Sequence, residues 1–115
     1  MNQKTQPFRS LRYLAFVRSL PCCMCGAPAD DAHHVTGMGW NLAGTGTKPG
    51  DEFSMPLCRV CHGAVHCCRG IKDNQPAWLA QTIRAGLWCF GNDCDIGQAL
   101  VRARIFVRSK QESVA

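Results

Sequence analysis

Met55-Pro56-Leu57-Cys58-Arg59-Val60-Cys61-His62, with His66 four positions further on, is the stretch that decides the architecture. Phe53 to Leu57 reads as a strand, with Pro56 marking a sheet edge or the strand's end. Cys58-x-x-Cys61 is a tight cysteine turn, and a helix follows it through about Cys67. On a helix, residues four apart project from one face, so the imidazoles of His62 and His66 can reach one ion.

Upstream, Pro21-Cys22-Cys23-Met24-Cys25-Gly26 is a second cysteine turn. Two C-x2-C pairs let four thiolates converge on one tetrahedral ion, so Cys22, Cys25, Cys58 and Cys61 are the expected ligands of a structural zinc. Cys23, the neighbour of Cys22, could substitute for it. A closed four-sulfur shell leaves no place for substrate, and its role would be to staple a long loop. Cys58-x-x-Cys61-His62 also matches the attachment signature of c-type haem, but no signal peptide is evident. Pro21-Cys22-x-x-Cys25 matches half of the zinc deaminase signature, yet no H-x-E precedes it. Thioredoxin-like chemistry needs a βαβ context that is missing. Cys67, Cys68, Cys89 and Cys94 are left over and are expected to be small buried apolar residues, with a second zinc site as the alternative.

The remaining histidines are His33 and His34, in a short extended run from Ala32 to Thr36. Neighbours on a strand point to opposite faces, so one of them can join His62 and His66 on a metal while the other does something else. Between the strands, Gly37 to Gly50 holds five glycines and a proline and reads as a long loop, a candidate flap.

Helices frame this centre. Phe8 to Leu20 places Phe8, Leu11, Leu14 and Ala15 at helical spacing, and Pro21 stops it. Asn74-Gln75-Pro76 opens a helix over 76–87, which Gly86 and Gly91 close. A last helix over 95–107 puts Ile96, Leu100, Ala103 and Val107 on one face. The expected fold is α+β: a single zinc-stapled domain over 1–115 with its centre at 21–68.

At 115 residues with nine cysteines, the chain is short enough that a metal staple substitutes for core. Met1 to Gln6 is polar, no apolar run follows, and nothing is long enough to span a membrane, so a reducing cytoplasmic location is expected. The net charge of +5 is concentrated in Lys4, Arg9, Arg12 and Arg18, then Arg102, Arg104, Arg108 and Lys110, which is compatible with a polyanionic partner.

In combination, Cys22-x-x-Cys25, Ala32-His33-His34-Val35, Lys48-Pro49-Gly50-Asp51 and Met55 to His62 with His66 resemble the HNH (ββα-metal) endonucleases. The likeness is to small prophage-type members and phage recombination-enhancement nucleases, and it covers roughly Pro21 to Cys67. It implies two antiparallel strands and a helix clamping one divalent ion (Mg2+, Mn2+ or Zn2+). His33, His62 and His66 match the ligands, and His34 matches the general base that activates water. Asp51 stands where the family's central Asn is expected and would orient His34 as an outer carboxylate; Asn41 is the alternative. The implied activity is hydrolysis or nicking of DNA, with low sequence specificity and with phage or host recombination or replication proteins as further partners. Arg59, Arg69 and Lys72 are candidate phosphate contacts. The rival is a non-catalytic zinc module that holds nucleic acid or protein, which has no use for four histidines so arranged.

Overall fold

The computed structural model describes residues 7–42 and 48–112. Lys4, the polar segment 1–6 and the middle of the glycine loop lie outside the described residues.

The first helix, α1 (Leu11–Arg18), starts where Ser10 caps it: the Ser10 hydroxyl accepts the Tyr13 N–H at 3.0 Å. This cap corrects the expected start at Phe8, whose carbonyl is instead used by the Asp51 N–H at 2.8 Å. It also sets the helix's rotation. Tyr13 and Val17 are buried, whereas Leu11 is 84% exposed and Ala15 lies on the solvent side. The expected stripe is therefore wrong by part of a turn, because the large Tyr13 ring, packed on Phe16 and Phe90, buries more apolar area than Leu11 could.

Two strands follow. β1 (Asp31–His34) pairs antiparallel with β2 (Ser54–Leu57), in a register that sets His33 against Met55 and His34 against Ser54. Phe53, expected in the strand, belongs to a 3-10 turn over Asp51–Phe53 that delivers the chain into β2. All four β2 residues are buried, since α1, α2 and α4 pack around it. Pro56 sits inside the strand, and its carbonyl accepts the Cys23 N–H at 2.9 Å. A proline is tolerated there because a two-stranded sheet has an unpaired side on each strand.

α2 (Arg59–Cys67) carries the second histidine pair, and a short α3 (Arg69–Lys72), not foreseen, turns the chain into α4 (Gln75–Phe90). α4 continues past Gly86, which was expected to help end it. Gly86 is buried against Tyr13 and Leu100, where a Cβ would come within 2.9 Å of Leu100 Cδ1. It is a close-approach glycine; Gly91 follows the last turn, as expected. α5 (Ile96–Glu112) begins where Asp93 Oδ1 accepts the N–H groups of Asp95 and Ile96, and it buries Ile96, Leu100, Ala103 and Val107 as expected.

The core is continuous from Tyr13 and Val17 through Met55, Leu57 and Val65 to Leu79, Ile83, Leu100 and Val107. The α4–α5 hairpin thus shares one core with the sheet rather than flanking a separate centre at 21–68. The architecture is a small α+β fold with a two-stranded sheet. Among the described residues, no helix is long and apolar enough to cross a membrane.

Candidate functional site

The first cysteine turn is tied by backbone bonds from Cys22 N–H to Ala27 O (2.7 Å) and from Gly26 N–H to Cys22 O (2.9 Å). Gly26 has φ +80°, a left-handed value that glycine adopts without strain. The second cysteine turn is the start of α2, where Cys58 Sγ caps the helix by accepting the Cys61 N–H. The sulfurs of Cys22, Cys25, Cys58 and Cys61 all lie within 4.8 Å of one another. Cys23 is not among them: its thiol points to Thr82 Oγ1, 3.9 Å away on α4.

This donor set fits a metal ion such as zinc. Cys61's thiol is pushed well up by burial and by the neighbouring sulfurs of Cys58, Cys25 and Cys22. Cys22 is held down at about 6: burial opposes its ionisation, but hydrogen bonds from the backbones of Cys58, Cys25 and Met24 outweigh it. Four sulfurs this close cannot all ionise on their own, and a cation bound among them would remove the conflict.

The other leftover cysteines do not behave as expected. Cys67, Cys68, Cys89 and Cys94 are all exposed rather than buried. They fall at the end of α2 and around the α4–α5 turn, where no core layer covers them. Cys67 and Cys68 bring their sulfurs to 3.4 Å.

Donor atoms of His33, His62 and His66 also lie within 4.8 Å of one another. His33 meets the other two rings edge-on, with centroids 4.7 Å from His62 and 5.3 Å from His66, while His62 and His66 are tilted 32° to each other at 5.0 Å. His33 is 3% exposed and His66 is open to solvent. Burial pushes the His33 pKa down to about 4, against the opposing hydrogen bond to Gln75 and with added repulsion from His62 and His66. A neutral imidazole is the form that ligates metal.

Each buried or half-buried ring has a second partner. His62 Nδ1 meets Asp31 Oδ2 at 2.8 Å. The hydrogen bond to His62, then Arg59, holds the Asp31 carboxyl below its ordinary range. His33 Nε2 meets Gln75 Oε1 at 2.9 Å. Neither Asp31 nor Gln75 was singled out in the sequence. Asp31 had a signal, since it stands two residues before His33 and so shares its face of β1.

His34 points the other way. Its Nε2 is 2.8 Å from Asp51 Oδ1, and Asp51 is only 2% exposed. Ser10 N–H donates to Asp51 Oδ2 at 2.7 Å, and Arg9 reaches Oδ1 at 3.3 Å. Arg9 also ties the carbonyls of Lys48 and Pro49. Asp51 is thus a buried, fixed carboxylate and not a solvated loop acid. Burial lowers the His34 pKa, with the Asp51 hydrogen bond opposing. Asn41, the alternative partner, is exposed with φ 55° in the loop around Trp40 and Leu42 and makes no hydrogen bond to His34.

The three proposed phosphate contacts separate. Arg69 and Lys72 join His66, Cys67, Gly37 and Asp73 around a cleft of about 530 Å³. Arg59 is elsewhere, its guanidinium 3.3 Å from Asp31.

The family described as protein of unknown function DUF968 matches residues 1–75. The chain belongs to this family. The DUF968 match takes in both cysteine turns, all four histidines, Asp31, Asp51 and Gln75. The chain is also similar to the uncharacterized protein YdfU of Escherichia coli (strain K12), with 47% identity over 55 residues. That stretch is 48% of this chain but only 15% of YdfU. No solved structure matches the chain.

Proposed function

We propose that this chain is a metal-dependent DNA endonuclease or nickase of the HNH (ββα-metal) type, built on a structural zinc. The observation that carries the proposal is the pairing of two different histidine environments on consecutive residues of β1. His33 joins a three-histidine donor cluster, while His34 is backed by a buried carboxylate.

Asp51, as a carboxylate, only accepts hydrogen bonds, so the His34 proton sits on Nε2 and the Nδ1 lone pair is left free. A neutral ring with one free nitrogen is a general base. It takes a proton from water as the water oxygen bonds to phosphorus, and the bond from phosphorus to the leaving oxygen breaks. Asp51 then stabilises the imidazolium that forms, as an orienting carboxylate does for a catalytic histidine. Ser10 and Arg9 keep Asp51 from turning away. His33, His62 and His66 would hold a divalent ion (Mg2+, Mn2+ or Zn2+), which when bound supplies neutralisation of charge on the phosphate. Arg69 and Lys72 line a cleft with His66 and would contact the DNA backbone. Arg59 acts instead on Asp31. Cys22, Cys25, Cys58 and Cys61 would hold zinc and take no part in the chemistry.

Incubation of the protein with supercoiled plasmid and Mg2+, Mn2+ or Zn2+ tests the proposal. Nicked or linear product that disappears with a chelator is the expected result. DNA binding without any cut, under all three metals, would instead favour a zinc module that only holds nucleic acid.

A further inference from the structure

Gln75 is fully buried at the first turn of α4, and both ends of its amide are in use. Nε2 donates to the carbonyls of Thr36 (2.8 Å) and Lys72 (3.1 Å). Oε1 accepts the Thr36 N–H at 3.1 Å and lies 2.9 Å from His33 Nε2. Backbone groups have fixed donor and acceptor character, so they decide which end of the amide is which. An amide turned over would set its NH2 against the Thr36 N–H and its oxygen against two carbonyls. With Oε1 fixed in front of it, His33 Nε2 must carry a proton, because two lone pairs would otherwise face each other at 2.9 Å in a buried site.

We propose that Gln75 is a positioning residue for the three-histidine cluster: it holds His33 as the Nε2–H tautomer and leaves Nδ1 as that ring's donor atom for a metal ion. The inference rests on reading this cluster as a metal site. His62 is set the opposite way, since its Nδ1–H donates to Asp31 and leaves Nε2 free. The two rings therefore offer different nitrogens, each chosen by a partner outside the cluster. Outer partners of this kind fix ring orientation before the ion arrives and so strengthen binding. Because Gln75 belongs to α4 and bonds Thr36, two residues past β1, it also makes the helical hairpin part of the site.

The direct test uses the 15N-labelled 115-residue chain with zinc on its cysteines, observed by long-range proton–nitrogen correlation of the histidine rings at neutral pH. The expected result is a proton on His33 Nε2, retained when a second equivalent of Zn2+ shifts Nδ1. A proton on Nδ1, or zinc at Nε2, overturns the proposal. In parallel, Co2+ is titrated into zinc-loaded wild type and Gln75→Met, which keeps volume but has no strong acceptor. The variant should bind Co2+ at least ~10-fold more weakly and show a mixture of His33 tautomers. Wild-type affinity with an unchanged tautomer in the variant would sink the idea. Should the variant not fold, the wild-type spectrum still decides. A wild-type chain that takes up no second metal overturns both this inference and the metal site. A chain with the expected tautomer and Co2+ binding that cuts no DNA overturns the nuclease proposal alone.

Discussion

At the scale of single residues, the two adjacent histidines of β1 differ because of what lies behind each ring. His33 is buried beside two further imidazoles, so its folded pKa of about 4 lies below the ordinary 6.5. A group with a depressed folded pKa contributes stability that is fully present above the unfolded value and is lost as pH falls through the folded one. The His33 ring should therefore stay neutral from pH 7 down to about 4. The measurement is the titration of its ring-proton NMR signals with the histidine cluster free of metal; a midpoint near 6.5 contradicts it. The grouping of the Cys22-x-x-Cys25 and Cys58-x-x-Cys61 pairs and of His62 with His66 is legible in the sequence, because spacings of three in a turn and four on a helix are local geometry. Cys22 against Cys23 was not, since only α4, folded back to place Thr82 by Cys23, separates them. Gln75 was equally hidden: it meets His33 across 42 residues, and no periodicity records such a contact.

At the scale of elements, apolar spacing alone fixes neither helix boundaries nor buried faces. In α1 the rotation is set by Ser10 and by the fit of Tyr13, neither of which is visible in apolar spacing alone. In α4 the composition signal of Gly86 is the same for a helix end and for a close approach, and the structure shows the second. Two substitutions separate these roles. Gly86→Ala gains ~1 kcal/mol of helix propensity but pushes a methyl against Leu100 and Tyr13, a cost of ~1–3 kcal/mol. The net effect should be a loss of stability in urea unfolding. Gly63→Ala, on the exposed side of α2 with nothing within 4 Å of the new Cβ, should gain ~0.5–1 kcal/mol. If both variants gain alike, Gly86 is not a packing residue. The α5 face, by contrast, was read correctly, because four apolar side chains at helical spacing all find the core.

At the scale of the whole molecule, one four-cysteine cluster joins the turn before β1 to the start of α2, and one histidine cluster joins β1 to α2. Coupled folding on zinc in small modules is worth on the order of 10 kcal/mol, similar to the whole stability of a typical domain at ~5–15 kcal/mol. Cys25→Ser should therefore abolish the cooperative thermal transition along with zinc content measured by emission spectroscopy. A cooperative melt near that of wild type would show that the core suffices without the metal. The central claim is that His34 is a base and that the other three histidines hold an ion. The most direct test compares nicking of supercoiled plasmid by His34→Ala, His62→Ala and wild type across a titration of Mg2+ and Mn2+. His34→Ala should keep its zinc and its fold, lose ~10²–10⁴ in rate, and stay inactive at every metal concentration, because what it lacks is a proton acceptor. His62→Ala should be inactive at low metal and partly restored at high metal, because what it lacks is one ligand of three. Wild-type cutting by His34→Ala, or recovery of both variants along the same metal curve, would contradict that division of labour.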